Sequence, residues 1–201
     1  MVEFATKDSG ARQQFETGSQ RDTDEGKGRF DLVPYEALIE VGNAIQEMDD
    51  HLPDTEDEAL SQALAACTTA WLVTDENTLL DVLREVAAYS LLAISLEDGA
   101  TLYPTPDLWG IATIPYDAAL RLAQLYERGA TKYFPNNWRL GQPYSRVMQS
   151  MTRHAWQAAS LFTDEDHKAA VAWNAIAVIH YILCGPEGLN DLALVKAVPN
   201  V

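Results

Sequence analysis

The sequence predicts an all-α protein, a helical bundle of about five to six helices with an irregular N-terminal arm and an acidic helical insertion. Three observations lead there. Apolar residues recur at spacings of three and four through most of the chain, and no segment shows the strict alternation of a half-buried strand. Stop signals such as Asp49-Asp50 with Pro53, Glu97-Asp98-Gly99 and Gly185-Pro186 cut those stretches into helix-sized pieces. At 47% apolar residues over 201 positions there is enough apolar surface for a core, while no run approaches the roughly 20 apolar residues of a membrane span.

Residues 1–30 are rich in Gly, Ser, Thr, Gln and charge and show neither helical nor strand periodicity, so they read as an arm. After Pro34, the positions Tyr35, Leu38, Ile39, Gly42, Ile45 and Met48 share one helical face, and the aspartates and Pro53 that follow end it. Helices are expected over roughly 56–72 and 76–96, the second with an apolar stripe of Leu79, Leu80, Leu83, Val86, Ala87 and Leu91. Residues 99–115 carry Pro104, Pro106, Gly110 and Pro115 and read as a loop with a short extended stretch at 111–114. A helix from Tyr116 to Arg128 is expected to close on Gly129. Residues 131–144 form an aromatic loop, a helix runs from Ser145 to about Leu161, and the last begins near Asp164 and stops after Cys184. Residues 31–201 thus read as one domain.

Charge is unevenly spread. Lys and Arg number 14 against 30 Asp and Glu, a net charge of −16. Residues 31–114 hold 17 of the acidic side chains and one basic one, so the excess sits in the middle of the chain. A duplex nucleic acid or an anionic membrane is a poor partner for such a surface. An anionic ligand belongs to the two ends. Cys67 and Cys184 lie 117 positions apart without a CxxC and read as buried reduced thiols, consistent with a reducing cytoplasm, and the opening residues lack a secretory pattern.

Four segments carry residue types suited to a phosphate-bearing ligand. In 25–32, glycines at 26 and 28 permit close backbone approach and Lys27 and Arg29 add charge; a Walker loop is excluded because Lys27 is followed by glycine. Read alone, such a segment is more often an ordinary basic turn than a phosphate clamp. In 127–146, Tyr133 and Trp138 offer flat faces, Asn136 and Asn137 offer amides, and Lys132, Arg139 and Arg146 offer charge; alternatively Trp138 belongs to the core. On the 145–161 helix Arg146, Ser150, Arg153 and Gln157 share a face bordered by His154, either gripping a polyphosphate or pairing with carboxylates. On the last helix His167 and Asn174 share a face across Ala170, and Asp164, Glu165 and Asp166 stand just upstream, as caps or as ligands of a hard cation.

Taken in order, TGSQRD (17–22), EGKGRFDL (25–32), RLAQLYERGATKY (121–133), NWRLGQPYSR (137–146), RHAWQ (153–157) and DEDHKAAVAWN (164–174) form a string that resembles the phage and bacterial dATP/dGTP diphosphohydrolase-like family, a helical group related to the MazG-type nucleoside triphosphate pyrophosphohydrolases. The resemblance covers residues 17–38 and 115–183. It implies hydrolysis of a purine deoxynucleoside triphosphate to the monophosphate and pyrophosphate, with Mg²⁺ or Mn²⁺. Lys27, Arg29, Lys132, Asn137, Trp138, Arg146, Arg153, His154, His167 and Asn174 stand at matching positions. Because a triphosphate in an acidic site needs bridging cations, Glu127, Glu165 and Asp166 are expected to hold metal, and Glu165, His154 and His167 to carry catalysis. Lys27, Arg29, Arg146 and Arg153 would neutralise phosphate charge, with the base near Trp138 and read by Asn137. Residues 39–114 interrupt the family pattern, and the MazG-type ExxE and ExxD helices are not cleanly present. The other reading is a nucleotide-binding or acidic interaction protein that lacks hydrolysis. In either case a homo-oligomer is expected, because helical bundles of this size commonly build sites across subunits.

Overall fold

A computed structural model describes residues 12–14, 16–22, 27–48, 51–97, 102 and 110–193. Six α-helices dominate them: α1 Tyr35–Met48, α2 Glu56–Ala70, α3 Glu76–Ser95, α4 Tyr116–Lys132, α5 Tyr144–Ala159 and α6 His167–Cys184. The all-α expectation holds. Short 3₁₀ turns stand at Phe30–Leu32, Gly110–Thr113 and Asn137–Leu140. The arm departs from the irregular segment expected of it, because β1 Arg12–Gln14 and β2 Gln20–Asp22 pair antiparallel with Gln13 opposite Arg21. Most of the remaining arm, with Gly26, lies outside the described residues.

The helix starts follow from local chemistry. Thr55 caps α2 by accepting from Glu58 N, and the Glu58 carboxylate reaches back to Asp54 N. Asp75 caps α3 through Thr78 N and Asp166 caps α6 through Ala169 N. Helices α4 and α5 begin behind Pro115 and Pro143, which have no N–H to leave unpaired. Ser145 therefore is not the cap expected of it: it sits in the first turn of α5, and its N and Oγ both bond Asp191, at 2.9 and 2.5 Å. Helix α4 runs through Gly129 to Lys132, and the chain reverses later at Asn136, whose φ of 63° is left-handed. The stretch expected to be extended at 111–114 is instead a 3₁₀ turn.

Helix α6 is the axis of the bundle. Thirteen of its residues are buried, on every face, and α1, α3, α4 and α5 all pack against it, with α2 completing the layer over α3 and α5. A helix apolar all round has to be enclosed. Leu79, Leu83, Val86 and Leu91 of α3 join Met148 and Met151 of α5 and Ile176 and Ile179 of α6 in one core, so the acidic middle of the chain contributes an inner face to the same core. Cys67 is buried, which pushes its thiol up to about 12. Cys184 is exposed at the end of α6, contrary to the expectation of two buried thiols. No helix among the described residues is long and apolar enough to cross a membrane.

Two glycines act through contact. Gly28 (φ 77°) lies against α4, where a Cβ would stand 2.9 Å from Ala123 Cβ, and Arg29 N bonds the Ala123 carbonyl at 3.2 Å. The close approach anticipated at this position is therefore made to a helix. A Cβ on Gly42 of α1 would stand 1.9 Å from the Gly110 carbonyl oxygen, and Thr113 Oγ1 donates to both carbonyls, Gly42 at 2.7 Å and Gly110 at 2.8 Å. Gly42→Ala sets a helix-propensity gain of about 1 kcal/mol against overpacking of about 1–3 kcal/mol that backbone atoms cannot relieve by changing rotamer. The expected outcome is a lower denaturant midpoint with an unchanged m-value.

Candidate functional site

A cleft of about 500 Å³ opens between α4, the 131–143 loop, α5 and the start of α6. Its charged lining is Arg128, Lys132, Arg146 and Glu165, three cations to one carboxylate in a chain of net charge −16. Asn137, Trp138, His154 and Asn174 also face it. Leu32, held by the docking of Gly28, is the one lining residue from before α4. Tyr133 and Phe134 expose 61% and 49% of their surface at the rim, offering open rings.

Trp138 is 6% exposed, with Tyr126 (centroids 5.6 Å) and His180 (4.7 Å) against its ring and the Arg139 guanidinium 4.9 Å from the ring centre. It is part of the cleft wall and of the core, so the open stacking faces belong to Tyr133 and Phe134. Two buried donors of the same wall, Trp138 Nε1 and Tyr126 Oη, have no hydrogen-bond partner among the described residues. Such donors cost about 1–3 kcal/mol each when left unmet, and both residues border the cleft. Asn174 Nδ2 donates to Ala170 O at 2.7 Å, which fixes the amide on its helix.

Beside the cleft the two histidines meet. His154 Nδ1 lies 2.9 Å from His167 Nδ1, His167 Nε2 lies 2.9 Å from Asp164 Oδ1, and Arg153 Nη2 lies 3.2 Å from His154 Nε2. Arginine only donates, so His154 Nε2 accepts; its Nδ1–H then donates to His167 Nδ1, and His167 Nε2–H donates to Asp164. One proton order satisfies the whole chain, with both imidazoles neutral. Burial, aided by the Arg153 charge, lowers the His154 pKa, in keeping with that state.

Glu165 completes this group: one ligand atom each of His154, Glu165 and His167 lie within 4.8 Å of one another. Two imidazoles and a carboxylate suit a transition ion such as Mn²⁺ better than Mg²⁺, which prefers oxygen. The donor set therefore fits a divalent cation, which His154, Glu165 and His167 would hold.

Asp166, expected from the sequence to hold metal, lies outside this group. Its two oxygens accept from Arg121 Nε and Nη2, both at 2.7 Å, and one also caps α6. Burial works to raise this carboxyl, but Arg121 and the Ala169 N–H outweigh it and hold the pKa below its ordinary value. Arg121 also reaches Glu97 at 2.6 Å, and Lys168 joins Glu97 and Glu56, both at 2.5 Å. Glu127 stands apart from the imidazole group on α4, with Thr131 Oγ1 bonded to its carbonyl.

The structure thus gathers Lys132, Asn137, Trp138, Arg146, His154, Glu165 and Asn174 around one cleft, with Arg153 and His167 joined to it through His154. Lys27 and Arg29 are not in the lining; Arg29 pairs with Asp31 at 2.6 Å. Arg128 was missed by sequence reasoning although it lies four positions before Lys132, one turn away on the same helix.

The helical bundle thus carries a cationic cleft beside an imidazole–carboxylate group. Residues 105–191 match the family described as dATP/dGTP diphosphohydrolase, N-terminal, so that stretch of the chain is similar to it. The match spans α4, α5 and α6 and every cleft residue except Leu32. No curated protein and no solved structure matches the chain.

Two outcomes follow. Below about pH 6.5 unfolded His154 binds a proton more readily than the folded residue does, so stability is lost as pH falls; His180, also lowered by burial, acts with the same sign. The melting temperature should decline from pH 7 to pH 5, and His154→Gln should flatten that decline. The carboxylates held low, Asp166 and Glu97, act only at more acidic pH, through about pH 4 and below. Arg121→Met leaves Asp166 half-buried without its partner and should cost about 3 kcal/mol in denaturant unfolding, with part recovered in the Arg121→Met/Asp166→Asn double variant.

Proposed function

We propose that the protein hydrolyses a purine deoxynucleoside triphosphate, dGTP or dATP, to the monophosphate and pyrophosphate with the aid of a divalent cation. The family match over 105–191 supports the reaction class. The observation that carries the reading is the meeting, in a strongly acidic chain, of Arg128, Lys132 and Arg146 with the adjoining His154, Glu165 and His167. Polyanion binding needs the first group and water activation the second.

In this reading the phosphates lie against Arg128, Lys132 and Arg146, whose charges favour the developing negative charge on the transferring group. The base stacks on Tyr133 and Phe134 at the rim, and the unpaired Tyr126 Oη and Trp138 Nε1 donate to its polar edge or to the sugar. Glu165 accepts the proton of a water that attacks the α-phosphorus as the bond to the bridging oxygen breaks and pyrophosphate leaves. A cation on His154, Glu165 and His167 would supply Lewis-acid polarisation of a phosphoryl oxygen. Mn²⁺ is favoured over Mg²⁺ by the two imidazoles.

The test is turnover of dGTP and dATP by the purified full chain with Mn²⁺, read as equal release of pyrophosphate and monophosphate. Glu165→Gln should lower kcat by about 100-fold or more, and Lys132→Ala and Arg146→Ala should each raise KM by about tenfold. A nucleotide-induced thermal shift without pyrophosphate release would overturn hydrolysis and leave binding alone.

A further inference from the structure

The start of α1 and the end of α6 bring three ligand-bearing side chains together away from the imidazole pair. Glu36 lies in the first turn of α1; His180 and Cys184 lie one turn apart at the end of α6. Cys184 Sγ stands 3.2 Å from His180 Nδ1 and 3.6 Å from Glu36 Oε1, and His180 Nδ1 is hydrogen-bonded to Glu36 Oε1. One ligand atom of each therefore lies within 4.8 Å of the others. Bonds of about 2.0–2.3 Å to a tetrahedral ion place ligand atoms roughly 3.3–3.6 Å apart, so the Cys184–Glu36 separation already suits one, the Cys184–His180 separation falls just short, and the Glu36–His180 pair has to open as its proton leaves.

We propose that Glu36, His180 and Cys184 form a binding site for a thiophilic divalent cation of the Zn²⁺ class. The site does not depend on the nucleotide reading. Sulfur with imidazole selects Zn²⁺ or Co²⁺ over Mg²⁺ and Ca²⁺, which take oxygen ligands. One carboxylate, one thiolate and a neutral imidazole balance a charge of +2. The His180 ring is held in place, 5% exposed and edge-on to Trp138, whereas Cys184 is exposed, so the group is anchored on one side and reachable from the other. Solvent access leaves a fourth position for water. Without a cation, burial and the Glu36 charge keep the Cys184 thiol protonated. Metal uptake then releases that proton and the one on His180 Nδ1, so affinity should rise with pH.

The experiment is titration of the reduced, chelator-treated full chain with Co²⁺. A thiolate-to-cobalt charge-transfer band and strong tetrahedral visible bands should saturate at one equivalent and bleach on adding Zn²⁺. The imidazole group of the cleft contains no sulfur, so this band reports on Cys184 or Cys67 alone. Cys184→Ser should abolish the band, Cys67→Ser should keep it, and Glu36→Gln should weaken Co²⁺ binding by at least tenfold. Cys184 is exposed, and unchanged far-UV circular dichroism would show that its variant folds. Absence of the band in the unmodified chain, or its survival in Cys184→Ser, would overturn the site.

Discussion

The bidentate pairing of Arg121 with Asp166 is the contact on which the arrangement of the site rests. Asp166 is the cap of α6 and the immediate neighbour of His167, so fixing it fixes where the central helix begins and where that imidazole stands. Lys168, on the other side of His167, is tied to Glu56 and Glu97. The histidine is thus bracketed by two ion-paired neighbours that reach α2, α4 and the end of α3. Partial burial makes these contacts worth more than surface pairs, and it also makes each costly to break.

This network gives part of the acidic excess a structural use. Glu56 and Glu97 anchor the cations that position the start of α6, and Arg84, the one basic residue in the acidic middle of the chain, is surrounded by Glu40, Glu47 and Asp81. The cations left facing the cleft are those of the C-terminal half. Charge segregation along the sequence therefore becomes segregation in space, with three cations of the C-terminal half gathered at the cleft.

Much of this was legible in the sequence because helices announce themselves through period and punctuation. The starts of α1, α2 and α3 fall where they were expected, just after Pro34 and at Glu56 and Glu76. The reading failed where a residue type serves two ends. Gly129 resembles a terminator but is accommodated inside α4, and the left-handed turn falls at Asn136. The β1–β2 pair is made by backbone between polar residues and leaves no side-chain period to detect. Within the cleft, Arg146 and His154 were accessible from helix spacing and Lys132 from the make-up of the 127–146 segment, whereas the role of Asp166 was not, because Arg121 is 45 positions away. The pairing of His180 with Cys184 is visible as a spacing of four, but Glu36, 144 positions from His180, is brought there only by the fold.

The enclosure of α6 bears on what the family boundaries mean physically. Residues 105–191 contain α4, α5 and α6 but neither α1 nor α3, which cover two further sides of the central helix. Excised alone, that stretch would present Ile176, Ile179 and their neighbours to water as a bare greasy seam. The matched segment therefore shares its core with the surrounding acidic helices, which serve as its solubilising jacket, and any transplant of the cleft into another scaffold has to bring a substitute for them.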